Sequence, residues 1–265
     1  MDHAATLYLD LLEKCLTRTI FGAPYHLVAP RRGTPAGMLF RAVQRLLPFD
    51  LEIVRRVTVE ARDGGDIWPT DAETMIGLPR LRNLRDCVVS VIEDSVSGDL
   101  LEAGVWRGGS TIYMRAILRA LAVRDRAVWV VDSFRGLPPS SHPLDTIDFS
   151  GWSQLAVSAD DVRENFRRYD LLDDQVRFVE GFFADSLPSA PIDRLAILRI
   201  DADMYASTMD VLVPLYDKLS PGGFVIIDEY FSVEPCRRAV DEFRGARGIA
   251  EPIQRVHTAG FWRRP

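Results

Sequence analysis

Cysteine is scarce in this chain: Cys15, Cys87 and Cys236 are the three among 265 residues. Odd in number and widely spaced, they suggest neither a disulfide framework nor a Cys-x-x-Cys metal site, and they read as core or free thiols. Basic charge is also in deficit. Against 38 Asp and Glu stand 32 Lys and Arg, a formal net charge of −6 with an isoelectric point near 5.3. That balance argues against a nucleic-acid partner, because phosphate binding wants a basic face. No stretch approaches the roughly 18 consecutive apolar residues of a membrane span. Met1-Asp2-His3 opens with an acid where a secretory signal carries a basic segment followed by an apolar one. The expectation is a cytoplasmic protein with no membrane partner, acting on a small molecule. With no Gly-x-Ser-x-Gly elbow and no Cys/His pairing, covalent catalysis is not indicated. What is present, 47% hydrophobic and 26% charged residues, is ordinary for a globular protein with a large core.

From about residue 98, apolar strands alternate with amphipathic helices. This is the pattern of right-handed βαβ units, a Rossmann-like α/β fold with a mainly parallel sheet flanked by helices. The strands begin with Leu100-Leu101 and continue at 127–132, 175–180, 195–200 and 224–227. Ser110 is placed to cap a helix through residue 123, and Ser158 one from 159 to 169. Ser220-Pro221-Gly222-Gly223 is placed to stop a helix that carries Met209, Leu212, Val213, Leu215 and Leu219 on its apolar side. A last helix near 235–247 leads into short strands around 255–258 and 260–262. Upstream, 5–19 and 38–47 read as helices for packing or oligomerisation. Residues 1–84 are therefore expected to form an N-terminal helical extension or lid, and 85–265 the catalytic domain.

The first strand runs into Glu102-Ala103-Gly104-Val105-Trp106-Arg107-Gly108-Gly109-Ser110, an acidic, glycine-rich turn before a helix. Glycines let backbone approach a nucleotide-like ligand at the carboxyl edge of a parallel sheet. A dinucleotide site wants Gly-x-Gly-x-x-Gly facing a pyrophosphate, which the Glu102 carboxylate would repel. That carboxylate suits the sulfonium and ammonium of S-adenosylmethionine. Asp132 closes the second strand about twenty residues past the glycines, where an acid holds ribose hydroxyls.

Two further strand ends are acidic, Asp201-Ala202-Asp203 and Asp228-Glu229. Neighbouring parallel strands set their carboxyl ends side by side, so these carboxylates converge, and such crowding calls for a cation. Hard oxygen ligands without His or Cys suit Mg2+. A bound metal orients and acidifies an alcohol while a spare carboxylate takes its proton, as methyl transfer to a poorly acidic hydroxyl requires. Without a ligand, the same acids read as caps at strand-to-helix junctions. Trp68 and Met75, just before the core, read either as a lid or as surface packing. The 133–157 loop carries Phe149 and Trp152 to cover an apolar acceptor. Its His142 either engages the acceptor or faces solvent, and His26 and His257 show no partner pattern.

These stretches resemble the macrocin O-methyltransferase family, the sugar O-methyltransferases of antibiotic biosynthesis. The resemblance rests on Leu101 through Gly109, Val131-Asp132-Ser133-Phe134-Arg135-Gly136-Leu137-Pro138, Gly181-Phe182-Phe183, Leu198-Arg199-Ile200-Asp201-Ala202-Asp203-Met204-Tyr205 and Leu219-Ser220-Pro221-Gly222-Gly223. Trp68-Pro69, Thr74-Met75-Ile76-Gly77 and Arg80-Leu81-Arg82-Asn83 extend it upstream, so that it spans residues 68–262. It implies a class I methyltransferase fold, S-adenosylmethionine and Mg2+ as cofactors, a homo-oligomer, and methylation of a deoxysugar hydroxyl on a glycosylated natural product. Carried over by position, Glu102, Ala103, Gly104, Trp106, Arg107, Gly108 and Ser110 line the methionine part. Asp132 meets the ribose, Gly181 and Phe182 the adenine, and Met75, Ser133, Arg135 and Asp201 complete the cofactor set. Asp201, Asp228 and Glu229 would be metal ligands and Asp203 the general base. The family usually has a second Asp where this chain has Glu229, and Gly where it has Ala202. A phenol, catechol or other hydroxyl as acceptor, and a homologue that binds cofactor without transferring methyl, stay open on the residues alone.

Overall fold

In the computed structural model, which describes residues 1–21, 25–27, 34–46, 54–146 and 148–265, Asp2 caps helix α1 (His3–Leu16) by accepting from the Ala5 amide at 2.7 Å. A short antiparallel ribbon, β1 (Tyr25–Leu27) with β2 (Val54–Arg56), brackets α2 (Pro35–Leu46). Leu47, the expected end of that helix, and the side chain of His26 lie outside the described residues. Helices α3 (Val59–Gly64) and α4 (Gly77–Glu93) follow, and α4 runs across residue 84, where the extension is expected to end.

The rest is β3 (Asp99–Ala103), α5 (Gly109–Ala120), β4 (Val128–Asp132), α6 (Ala159–Arg168), β5 (Val176–Glu180), α7 (Phe183–Ser186), β6 (Leu195–Ile200), α8 (Tyr205–Leu215), β7 (Leu219–Ile227), α9 (Glu234–Arg247), β8 (Gln254–Val256) and β9 (Ala259–Arg263). The seven strands lie in the order β5-β4-β3-β6-β7-β9-β8. The five from β5 to β7 are parallel, while β9 pairs antiparallel with β7 and with β8. The chain works outward from β3 to β5, then crosses back to β6 on the other side of β3. The strand order thus reverses between β3 and β6, and a crevice opens outside their carboxyl ends.

Because side chains alternate across a strand and both faces are covered, β3 is apolar except at Asp99 and Glu102, and β6 except at Arg199. Leu100 and Ile197 face a core shared with Leu9, Leu12 and Leu16 of α1, Leu84 and Val88 of α4, and Ile112 and Ile117 of α5. Leu101 and Leu198 face the opposite core with Leu212, Phe243 and Trp262. Each such side chain contributes about 1.5–3 kcal/mol. Inside the first core's rim, buried Glu13 accepts from Arg82 at 2.9 Å and from the Tyr113 hydroxyl at 3.3 Å. Among the described residues, no helix is long and apolar enough to cross a membrane.

Two local expectations are corrected. Ser110 does not cap α5: Gly108 holds the cap position and no side chain caps the helix, because the Ser110 hydroxyl is turned to Glu102 at 2.6 Å. Ser158 does cap α6, accepting from the Asp161 amide at 3.1 Å. The second correction concerns Leu219, which belongs to a strand and not to the preceding helix. Helix α8 ends at Leu215, and β7 already includes Leu219-Ser220-Pro221-Gly222-Gly223 as a bulge, since its register against β6 jumps from Leu195–Leu219 to Ile197–Phe224. The bulge is held from afar. Gly222 donates to the Arg264 carbonyl at 2.7 Å and Arg264 to that of Gly223 at 2.8 Å, while Pro221 has no N–H to leave unpaired.

Candidate active site

At the end of β3 the chain turns at Gly104, with φ of +88° and the Asp201 carbonyl oxygen only 1.9 Å from where a Cβ would stand. Backbone contact between the ends of β3 and β6 therefore requires glycine. Around this contact a cavity of about 590 Å3 opens at the carboxyl edge of the sheet, within the ordinary range for a small-molecule site.

Each strand delivers an acid to it. Glu102 is buried and accepts from Ser110 and from the guanidinium of Arg199. Asp132 accepts the amides of Val105 at 2.8 Å and Phe134 at 2.9 Å, which pins the turns after β3 and β4 together. Burial pushes the Asp132 carboxyl up and those amides pull against it. Asp201 and Asp203 follow β6, and Asp228 and Glu229 follow β7. Asp203 has φ of +57°, a strained conformation for a non-glycine residue of the kind found at functional sites.

Two arginines knit these acids together. Arg199 lies inside β6, 1% exposed, and donates to Glu102, to Asp228 and, at 3.3 Å, to Asp201. Arg80 reaches in from α4 and donates through Nη1 to Asp228 at 2.5 Å and Glu229 at 2.9 Å. Glu229 also accepts from Ser232. Burial works to raise the Asp228 carboxyl, yet Arg199 and Arg80 together hold it below the usual range. Elsewhere the arginines compensate less than burial and repulsion cost. Burial, with the Asp228 charge adding, pushes Asp203 up to about 6 and Glu229 up to about 7. Asp201 is raised by burial and by the same neighbour.

Glu102, Asp201, Asp203, Asp228 and Glu229 set five carboxylates against two guanidiniums, which leaves an excess of negative charge, and the donors are all hard oxygens, so the set fits a divalent cation in kind and in charge. They are not gathered on a common point: among the described residues, no group of three or more His, Cys, Asp or Glu is arranged to hold a metal ion. Oxygens of Glu102, Asp201, Asp228 and Glu229 are turned to Arg80 and Arg199 instead.

The opposite wall is apolar, from Trp68, Leu137, Phe149, Trp152 and Phe182. Trp152 sits between Trp68, with ring centroids 5.2 Å apart, and Phe149, at 5.3 Å. The 133–157 loop thus supplies cavity wall. Trp106 tethers it by donating to the Gln154 carbonyl at 2.9 Å.

Of the expected residues, Met75, Glu102, Gly104, Trp106, Ser110, Asp132, Ser133, Phe182 and Asp201 line the cavity, as do Asp203, Asp228 and Glu229. Ala103, Arg107, Gly108, Arg135 and Gly181 are not in its lining. Ala103 is packed in the sheet core. Arg107 donates to the carbonyls of Thr70 at 3.1 Å and Ala72 at 2.9 Å, tying down the segment beside Met75. Gly108 sits under Val162, Arg135 is exposed, and the Gly181 amide donates to the Asp132 carbonyl at 3.0 Å. His142 is not in the cavity lining. Half-buried, it stacks on Tyr205 with centroids 4.2 Å apart, beside Asp145, which caps α8 by accepting the Tyr205 amide at 2.6 Å. Sequence reading missed Thr74, Ile76, Ser207, Asp210 and Val233 in the lining, and gave Arg199 and Arg80 no role in the site. The available signal was Arg199 itself, a charge within an apolar strand, which is rarely buried unpaired.

The chain matches the family profile of macrocin-O-methyltransferase (TylF) over residues 5–264. It is 46% identical over 266 residues to demethyldecarbamoylnovobiocin O-methyltransferase of Streptomyces niveus, covering 98% of this chain and 94% of that one. To 8-demethyl-8-(2,3-dimethoxy-alpha-L-rhamnosyl)-tetracenomycin-C 4'-O-methyltransferase of Streptomyces olivaceus it is 46% identical over 270 residues, covering 99% and 94%. The solved structure of the O-methyltransferase NovP superposes with a TM-score of 0.85 at 45% identity, covering 98% of this chain and 99% of that one. With a class I methyltransferase sheet and acids at its strand ends, the chain belongs to the macrocin O-methyltransferase family and is an O-methyltransferase.

Proposed function

We propose that this enzyme transfers the methyl group of S-adenosylmethionine to a sugar hydroxyl of a glycosylated natural product in antibiotic biosynthesis, with Mg2+ as a second cofactor. The observation that carries the reading is the cavity at the β3/β6 reversal, where acids from four consecutive strand ends face an aromatic wall. The rhamnosyl acceptor in the name of the Streptomyces olivaceus relative points to a sugar.

Each role follows from local chemistry. The Glu102 carboxylate, held by Ser110 and Arg199, presents negative charge toward a cationic methionine moiety. Asp132, with two backbone amides fixing its plane, has acceptor capacity left for ribose hydroxyls. Asp201, Asp228 and Glu229 are the residues that would hold Mg2+, which when bound supplies a Lewis acid that orients and acidifies an alcohol. Asp203, raised to about 6, is matched to a general base at neutral pH: it is ionised there, yet basic enough to take the hydroxyl proton at its carboxylate oxygen. The aromatic wall excludes water and holds the acceptor, and most of the rate enhancement lies in that positioning. In this reading the N-terminal extension, expected over residues 1–84, carries the contacts between protomers. It leaves Leu7 and Leu11 of α1 and Met38, Leu39 and Leu46 of α2 exposed, apolar surface suited to contacts between protomers of a cytoplasmic homo-oligomer.

The test is transfer of labelled methyl from S-adenosylmethionine to paired acceptors, each aglycone with and without its deoxysugar, in the presence of Mg2+. Label on the sugar-bearing member alone is expected. Equal labelling of sugar-free phenolic acceptors would move the assignment to the ring hydroxyl.

A further inference from the structure

We infer that Arg80 is an internal counter-cation that occupies the Asp228–Glu229 carboxylate pair in competition with a divalent ion, and thereby ties metal occupancy to the cavity wall formed by residues 65–76. The inference rests on the Mg2+ reading above.

The geometry is two-sided. On one edge the Arg80 guanidinium holds Asp228 and Glu229 through Nη1. On the other, Nε donates to the Ile76 carbonyl at 2.7 Å and Nη2 to that of Gly65 at 3.2 Å. Gly65 is held there with φ of +85°, and a Cβ on it would stand 2.5 Å from the Ile76 oxygen and 2.9 Å from Arg80 Nη2, so a side chain at 65 would dislodge the guanidinium. Residues 65 and 76 bracket the segment that brings Trp68, Thr74 and Met75 to the cavity. Arg80 is therefore the strut between that wall and the end of β7. Arg199 differs, since it is fixed within the sheet on Glu102 and Asp228.

Both Asp228 oxygens carry guanidinium donors, Oδ2 from Arg80 and Oδ1 from Arg199. A divalent ion ligated by the Asp228 and Glu229 oxygens that face Arg80 would stand beside its guanidinium, and two cations repel strongly at short range in a buried site. Arg199 is locked in place, so Arg80 gives way and the wall segment loses its tie to the strand end.

Two measurements on the full-length protein decide it. In calorimetric titration with Mg2+, Arg80→Gln is expected to bind the ion roughly five-fold or more tighter than wild type. Arg80→Lys, which keeps the charge, and Arg82→Gln, whose guanidinium lies on Glu13, should stay within about two-fold of wild type. Needing no variant, hydrogen exchange of wild type should quicken at residues 65–76 when Mg2+ is added. Mg2+ affinity unchanged or weakened in Arg80→Gln, or exchange at 65–76 unmoved by bound Mg2+, overturns the inference and leaves the metal reading intact. Mg2+ bound by neither wild type nor Arg80→Gln overturns both.

Discussion

On the proposed reading Asp203 is the general base, and its behaviour separates a base from a cap. Its carboxyl is pushed up to about 6 by burial and by Asp228, so the base form is lost as pH falls through that value. Turnover is expected to rise with pH through an apparent pKa at or below about 6 that belongs to the coupled acids as a group, since a bound cation would offset the Asp228 charge that helps to raise it. Asp203→Asn should lower kcat by about 10²–10⁴ and remove that limb while S-adenosylhomocysteine affinity holds. A pH–rate profile on both proteins checks it, and unchanged turnover in the variant would return Asp203 to a structural role. Asp203 itself was legible from sequence because it follows an apolar strand in a parallel fold, where carboxyl ends meet. The arginines were not legible as members of the site. Leu198-Arg199-Ile200 announces a buried charge, but that it reaches Glu102, Asp201 and Asp228 depends on β6 lying between β3 and β7, and that order is set by long-range packing.

At the scale of elements, the close backbone contact between the ends of β3 and β6 at Gly104 organises the cavity. Gly104→Ala places a methyl against the Asp201 carbonyl at a positive φ, and is expected to cost about 3 kcal/mol or more in urea unfolding. Gly245→Ala in α9 has open space around its Cβ and should stabilise by about 0.5–1 kcal/mol. Similar values for the two would show that the β3–β6 contact is not tight. The five parallel strands could be read from the chain because each carries an apolar run closed by an acid or by turn residues, even β5, which is only half-buried. The true start of β7 could not. Ser220-Pro221-Gly222-Gly223 carries the local chemistry of a break, and its strand character comes from pairing with Arg264, forty residues away in the chain. The α8 side of the cavity, with Ser207 and Asp210, was hidden for the same reason: its polar residues form no motif until the helix is laid beside the strand ends.

For the molecule as a whole, a cluster of acids kept close for function carries a cost in stability. Glu229 is raised from 4.5 to about 7. A carboxyl whose folded pKa lies above its unfolded value binds more protons when folded. Its contribution is therefore full below about 4.5 and is lost as pH rises through about 7. Replacing it with a group that does not titrate removes that loss. The stability of Glu229→Gln relative to wild type is expected to improve by about 1–3 kcal/mol between pH 4.5 and 8 without metal, measured by urea unfolding at the two pH values. A constant difference would show that Glu229 is not crowded.

The most direct test of the assignment is calorimetric titration of S-adenosylhomocysteine into the wild-type protein and into Asp132→Ala. Micromolar binding to wild type, weakened about ten-fold or more in the variant, is the expected result. No binding heat from wild type, with or without Mg2+, would contradict it, since the cavity at the β3/β6 reversal would then not be a methyl-donor site.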